Sequence, residues 1–124
     1  MQDLVQRLVA EERRTTNDSE AGGRAAFRVC EKMRRPLSNF AGAAGFRSLL
    51  SRALVLAKAD APLLGGVKIK PDGTIEYSAE LEARLATDEA ARAGAALADR
   101  LLGLLITFIG EALTLRLVQD VWPK

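Results

Sequence analysis

The chain contains no histidine and a single cysteine, Cys30, in 124 residues. Without histidine or a second cysteine, the common zinc ligand sets and the serine and cysteine triads lack their parts, and no G-x-x-x-x-G-K-[ST] phosphate loop is present. A lone cysteine also excludes a disulfide within the chain, and no charged-then-apolar signal segment is evident. We therefore expect a cytoplasmic protein with no metal and no cofactor.

Aromatic residues are scarce, at 5% of the chain, and the formal net charge is only +2. This small net charge hides an asymmetry between the two halves. Residues 1–59 hold eleven Lys/Arg against six Asp/Glu, a net of +5, whereas residues 60–124 hold seven against ten, a net of −3. The two halves could complement each other within the fold, or the basic half could face an anionic partner. The length fits a single domain, 1–124.

Hydrophobic periodicity predicts a mainly α protein, a bundle of four to five helices around a long apolar C-terminal helix, with one small β-hairpin at about 67–77. The predicted helices cover about 3–14, 20–35, 39–59 after a cap at Ser38 or Asn39, and 79–121 after a cap at Ser78. The last segment is either one bent helix or two, with Asp88 as the cap of the second. We expect the hairpin to dock on the helices, because an isolated hairpin is marginally stable in water.

The C-terminal helix determines the architecture. The segment from Leu101 to Gly110 carries no charge, and a helix that is apolar all round must be buried on every side. It is too short to cross a membrane, which needs ~20 apolar residues, so we expect no transmembrane segment. A helix from Glu89 to Val121 would be ~50 Å long, against ~30 Å for a compact domain of this size, so protein outside the chain should cover part of it.

Small residues recur at helical spacing along this helix. Glycine inside a helix costs about 0.5–1 kcal/mol relative to alanine, so a repeated glycine suggests that another backbone approaches closely. We therefore expect a small-residue seam on the C-terminal helix to face a second small-residue surface on the third helix. The seam residues are Gly103, Thr107, Gly110 and Thr114, and those of the third helix include Gly42 and Gly45.

The second predicted helix is the most basic element. Its candidate contacts for an anion are Arg24, Arg28, Lys32 and Arg35. Nucleic-acid binding would normally add a recognisable module or base-stacking aromatic residues, and neither is visible. We therefore rank nucleic acid below a solvated helix face.

Glu111 interrupts the apolar helix and is the one candidate for catalysis. Burial there would suit its carboxyl to acid or base chemistry. Two other interpretations rank higher: a buried ion pair with Arg47 or Arg52 of the third helix, or a side chain that reaches solvent.

Residues 29–37, VCEKMRRPL, resemble the H-box of the dimerisation helix in sensor histidine kinases, which reads roughly V-S-H-E-L-R-T-P-L. Val29, Arg34, Pro36 and Leu37 match. The position of the phosphoacceptor histidine is occupied by Glu31, so the phosphoryl chemistry of that family cannot be carried over. The resemblance implies a dimerisation module without catalytic activity.

Three hypotheses follow for function. The first, which we prefer, is a small non-enzymatic helical module that self-associates or binds a partner protein through its C-terminal helix. The second is a basic helix that binds an anionic surface, either nucleic acid or lipid headgroups. The third is a small enzyme that uses Glu111.

Overall fold

The computed structural model describes residues 2–16, 22–85 and 87–122 of the chain. Over these residues it contains six α-helices, one 3₁₀ helix and two short strands. In chain order they are α1 (Gln2–Thr16), α2 (Gly22–Lys32), α3 (Arg34–Asp60), the 3₁₀ helix (Pro62–Gly66), β1 (Val67–Ile69), β2 (Ile75–Tyr77), α4 (Ala79–Ala83), α5 (Asp88–Ile109) and α6 (Glu111–Val121). The predicted helical bundle with one small hairpin is confirmed.

Helix α5 lies at the centre of the bundle and packs chiefly against α2 and α3. Its apolar residues recur every three or four positions, so they form one buried stripe along the helix. The buried residues of this stripe are Ala90, Ala93, Gly94, Leu97, Ala98, Leu101, Leu102 and Leu105. The helix is not enclosed on all sides, however, because Ile106 is only partly buried and Phe108 is exposed.

Helix α5 packs tightly against α2 at Gly94. A Cβ atom added there would lie 2.7 Å from the Cβ of Ala26 and 3.2 Å from the backbone nitrogen of Phe27, both on α2. Real Cβ atoms do not come this close to their neighbours, so only glycine fits the site without a shift of the backbone. A glycine of the C-terminal segment therefore does admit another backbone, although the predicted seam did not include this one.

The C-terminal segment is broken at Gly110, whose φ of 88° and ψ of 160° lie outside the helical region. Glycine adopts such positive φ values without the steric cost that a Cβ atom imposes. The expectation of one continuous helix from Glu89 to Val121 is therefore wrong. The expectation that outside protein must cover an overlong helix fails with it. Gly42 breaks α3 in the same way, with a φ of 82°.

The helix starts are partly as predicted. The hydroxyl of Ser78 accepts a hydrogen bond from the Leu81 amide at 3.2 Å and caps α4, as expected. Helix α5 is capped by Thr87, which accepts from the Ala90 amide at 3.2 Å, and not by Asp88. Helix α3 begins at Arg34, and neither Ser38 nor Asn39 caps it.

The hairpin pairs Val67 with Tyr77 and Ile69 with Ile75 in antiparallel register. Val67 and Ile75 are buried, and the ring of Tyr77 meets Phe27 of α2 edge to face with 5.3 Å between the ring centres. The hairpin thus docks on the helices, as expected for a two-stranded unit that cannot stand alone.

Candidate functional site

The described residues offer no assembled catalytic chemistry. They contain no group of three or more His, Cys, Asp or Glu side chains that could hold a metal ion. Cys30 is fully buried, and burial raises the pKa of its thiol, which keeps it protonated and unreactive. An open groove of about 510 Å³ beside the 3₁₀ helix is lined by Ser78 and Glu80, but the Ser78 hydroxyl is engaged in capping α4. We find no paired nucleophile and base in that groove.

A buried carboxylate that sequence reasoning missed lies at Glu12. Its side chain is 0% exposed, and Trp122 donates its indole N–H to Oε2 at 2.9 Å. The Nζ atom of Lys32 lies 2.6 Å from the same oxygen. The cluster joins α1, α2 and the end of α6, whose residues are up to 110 positions apart in sequence. No local pattern links positions so distant.

The predicted anion contacts do not form one free cationic surface. Lys32 is paired with Glu12, and Arg28 is half-buried with its Nη1 atom shielded from solvent. Arg35 is exposed, on α3 and not on α2. The Arg24 side chain lies outside what the structure describes.

The two small-residue surfaces do not meet within the chain, so the expectation that they face each other is wrong. A Cβ atom added at Gly42, Gly103 or Gly110 would find no atom within 4 Å. At Gly45 it would meet only Ala41 of its own helix. Thr107 is exposed and Thr114 is buried, and each donates its hydroxyl to the carbonyl four residues before it. Contact of the seam with another chain stays a prediction.

Glu111 and its two predicted partners are all exposed. The side chains of Arg47, Arg52 and Glu111 reach solvent, and the described part of the chain shows no ion pair among them. The buried ion pair is therefore wrong, and the alternative in which Glu111 reaches solvent is correct. Exposure also removes the reason for assigning acid or base chemistry to Glu111.

Exposed side chains flank the junction between α5 and α6, and we call the surface that they form the junction face. Phe108, which is 67% exposed, lies just before the break and Leu115, 37% exposed, lies just after it. Exposed charges of both signs accompany these apolar side chains. The junction face comprises the exposed residues Thr107, Phe108, Glu111, Leu115 and Arg116 and the half-buried Gly103.

A second exposed face runs along the part of α3 that follows the break at Gly42, and we call it the α3 face. The opposite side of this helix is buried in the core through Phe46, Leu50 and Ala53. Val55 of the α3 face is 68% exposed. The α3 face comprises Arg47, Arg52, Val55, Leu56 and Lys58.

Among the described residues, α3 is also the one helix long and apolar enough to cross a membrane. Its most apolar 18-residue window has a mean hydropathy of 1.3 and is 28% buried. Core helices of water-soluble proteins meet the same criterion, so length and composition do not establish a membrane span. Comparisons of the chain with protein-family models, curated proteins and solved structures found no significant match.

Proposed function

We propose that this chain is a small non-enzymatic helical module that self-associates through the junction face. The observation that carries the proposal is the 67% exposure of Phe108 at the end of α5, a helix whose Gly103 also has open space where a side chain would lie. Aromatic side chains are enriched at protein interfaces because a rigid ring buries a large apolar area at little cost in conformational entropy. A glycine without neighbours offers a flat surface on which such a ring can pack.

The charges of the junction face favour a second copy of the chain as the partner. Glu111 and Arg116 are both exposed, and they lie on neighbouring turns of α6. A two-fold dimer places the same surface patch on both subunits, so each residue meets a different residue of the same patch. A patch that carries both signs can therefore pair Glu111 of one copy with Arg116 of the other. Such pairs at the rim orient the two copies, and the apolar centre supplies most of the affinity.

The first test is the mass of the particle as a function of protein concentration. Light scattering after size-exclusion chromatography should show a monomer at low concentration and a dimer at high concentration. The melting temperature should rise with concentration, because association stabilises the folded chain by mass action. The Phe108→Ser variant should stay monomeric over the same range. Truncation of an aromatic residue at the centre of an interface costs about 2 kcal/mol or more, or at least roughly thirtyfold in the dissociation constant.

Val55→Ser is the matched control, since Val55 is as exposed as Phe108 but lies on the α3 face. This variant should dimerise like the parent chain. A parent chain that remains monomeric at all concentrations would rule the proposal out. An equal loss of dimer in both variants would show that the interface is not the junction face.

A further inference from the structure

The α3 face carries charge of one sign. Arg47, Arg52 and Lys58 are all exposed, and none of them forms an ion pair within the described part of the chain. The single acidic residue of α3 is Asp60 at its C-terminal end, and its Oδ2 atom accepts a hydrogen bond from Arg100 at 2.6 Å. A second copy of this face would bring cations against cations. The charge of the face therefore favours an anionic partner over a second copy.

Exposed aliphatic side chains lie among these cations. Val55 is three residues after Arg52 and three before Lys58, so the three side chains lie on the same side of the helix. Leu56 lies four residues after Arg52 and is 36% exposed. The α3 face thus combines apolar side chains with flanking cations, while the core anchors the other side of the helix.

We propose that the α3 face docks on the surface of an anionic lipid bilayer. Helices that lie in the interfacial region bury apolar side chains below the headgroups, and their lysine and arginine side chains extend to the phosphates. The α3 face supplies both parts. A nucleic acid would use the cations, but its phosphates give Val55 and Leu56 nothing apolar to pack against. The chain would lie on the membrane surface without crossing it.

Co-sedimentation of the full chain with lipid vesicles tests this proposal. The chain should bind vesicles of equal parts phosphatidylcholine and phosphatidylglycerol, and it should bind vesicles of phosphatidylcholine alone much more weakly. Each cation near an anionic surface contributes about 1 kcal/mol, so the triple variant Arg47→Gln, Arg52→Gln, Lys58→Gln should lose roughly 100-fold in partitioning. Val55→Ser should lose roughly fivefold, because one apolar side chain no longer enters the interface.

A matched control removes the same number of charges elsewhere. Arg7, Lys68 and Arg92 are exposed on α1, β1 and α5. Their triple replacement by glutamine changes the net charge equally, and it should reduce vesicle binding far less than the α3 variant does. Circular dichroism of both triple variants would show that each retains its helices, since all six positions are at the surface.

Three results would overturn the proposal. The first is equal sedimentation with neutral and anionic vesicles, and the second is an equal loss of binding in the two triple variants. The third is that the chain binds duplex DNA at least as tightly as it binds anionic vesicles, and that Val55→Ser changes neither the binding to DNA nor the binding to vesicles. That pattern would assign the α3 face to nucleic acid. None of these results depends on whether the junction face forms a dimer.

Discussion

Two glycines of α5 lie in opposite surroundings, because a separation of nine residues places them on opposite sides of the helix. Near its start, Gly94 is so close to Ala26 and Phe27 that it has no room for a methyl group. Near its end, Gly103 has no atom within 4 Å of where a Cβ would lie, and Phe108 is exposed. The same residue type is thus required by packing at Gly94 and not at Gly103. A glycine in a helix is therefore not sufficient evidence that a second backbone packs against it.

We call the tightly packed part of the molecule the sealed region. It runs from Gly94 to the Glu12 cluster, where α1, α2 and the end of α6 meet. The open region is the junction face. Substitutions in the sealed region should change the free energy of unfolding, whereas those in the junction face should change association. This division is what the following variants test.

The largest effect on stability should come from Glu12→Ala. Removal of the carboxylate leaves the buried indole N–H of Trp122 without its acceptor and Lys32 without its counter-ion. Hydrogen bonds to charged groups contribute about 1.5–3 kcal/mol, and Lys32 can still turn toward solvent, so we expect a loss of about 2–3 kcal/mol. Urea denaturation followed by the fluorescence of Trp122, the single tryptophan, measures this loss.

Glu12→Gln is the control for this variant. The glutamine side-chain oxygen can still accept the hydrogen bond from Trp122, but it does not neutralise Lys32. Glu12→Gln should therefore lower the free energy of unfolding by less than Glu12→Ala does. If both variants unfold at the parent's urea concentration, the cluster contributes nothing to stability and the sealed region ends at Gly94.

A second pair of variants makes the same substitution at the two glycines of α5 that differ in packing. Gly94→Ala should destabilise the chain by about 1–2 kcal/mol, since the strain of overpacking exceeds the gain in helix propensity. Gly103→Ala should stabilise the monomer by about 0.5–1 kcal/mol, because the new methyl group meets nothing and alanine favours the helix. Unfolding free energies at low protein concentration, where the monomer predominates, compare the two.

The Gly103→Ala variant has a second expected result. If the junction face forms the dimer, the added methyl group intrudes on the contact, so association should weaken even though the monomer becomes more stable. The essential observation is that Gly94→Ala lowers the free energy of unfolding whereas Gly103→Ala raises it. Destabilisation by both substitutions would show that Gly103 also has a close neighbour.

The sequence was sufficient for the elements that local patterns encode. The helices follow from apolar residues at three-to-four spacing, the hairpin from two short alternating runs around Pro71 and Gly73, and the α4 cap from Ser78. The break at Gly110 was harder to predict, because glycine at that position fits either a helix seam or a positive φ, and only the fold decides between them.

The candidate sites were less predictable, because burial depends on which elements pack together. The apolar segment around Glu111 predicts burial of this residue, yet Glu111 begins α6 at the surface. Glu12 stands in a charged helix, typical of solvent exposure, yet its side chain is buried. Its partners come from the opposite end of the chain and from α2, so no helical spacing could have identified it.

The smallest effect, and the most specific, should come from exchanging charges on the junction face. Glu111→Arg alone places like charges opposite each other in a two-fold dimer. Exposed ion pairs contribute about 0.2–1 kcal/mol, and a two-fold dimer forms each pair twice, so association should weaken by about fivefold. The double variant Glu111→Arg, Arg116→Glu exchanges the two signs, restores opposite charges across the two-fold axis and should recover most of the affinity. Sedimentation equilibrium of the parent, the single variant and the double variant measures this coupling. A double variant that associates no more tightly than Glu111→Arg would mean that Glu111 of one copy does not face Arg116 of the other.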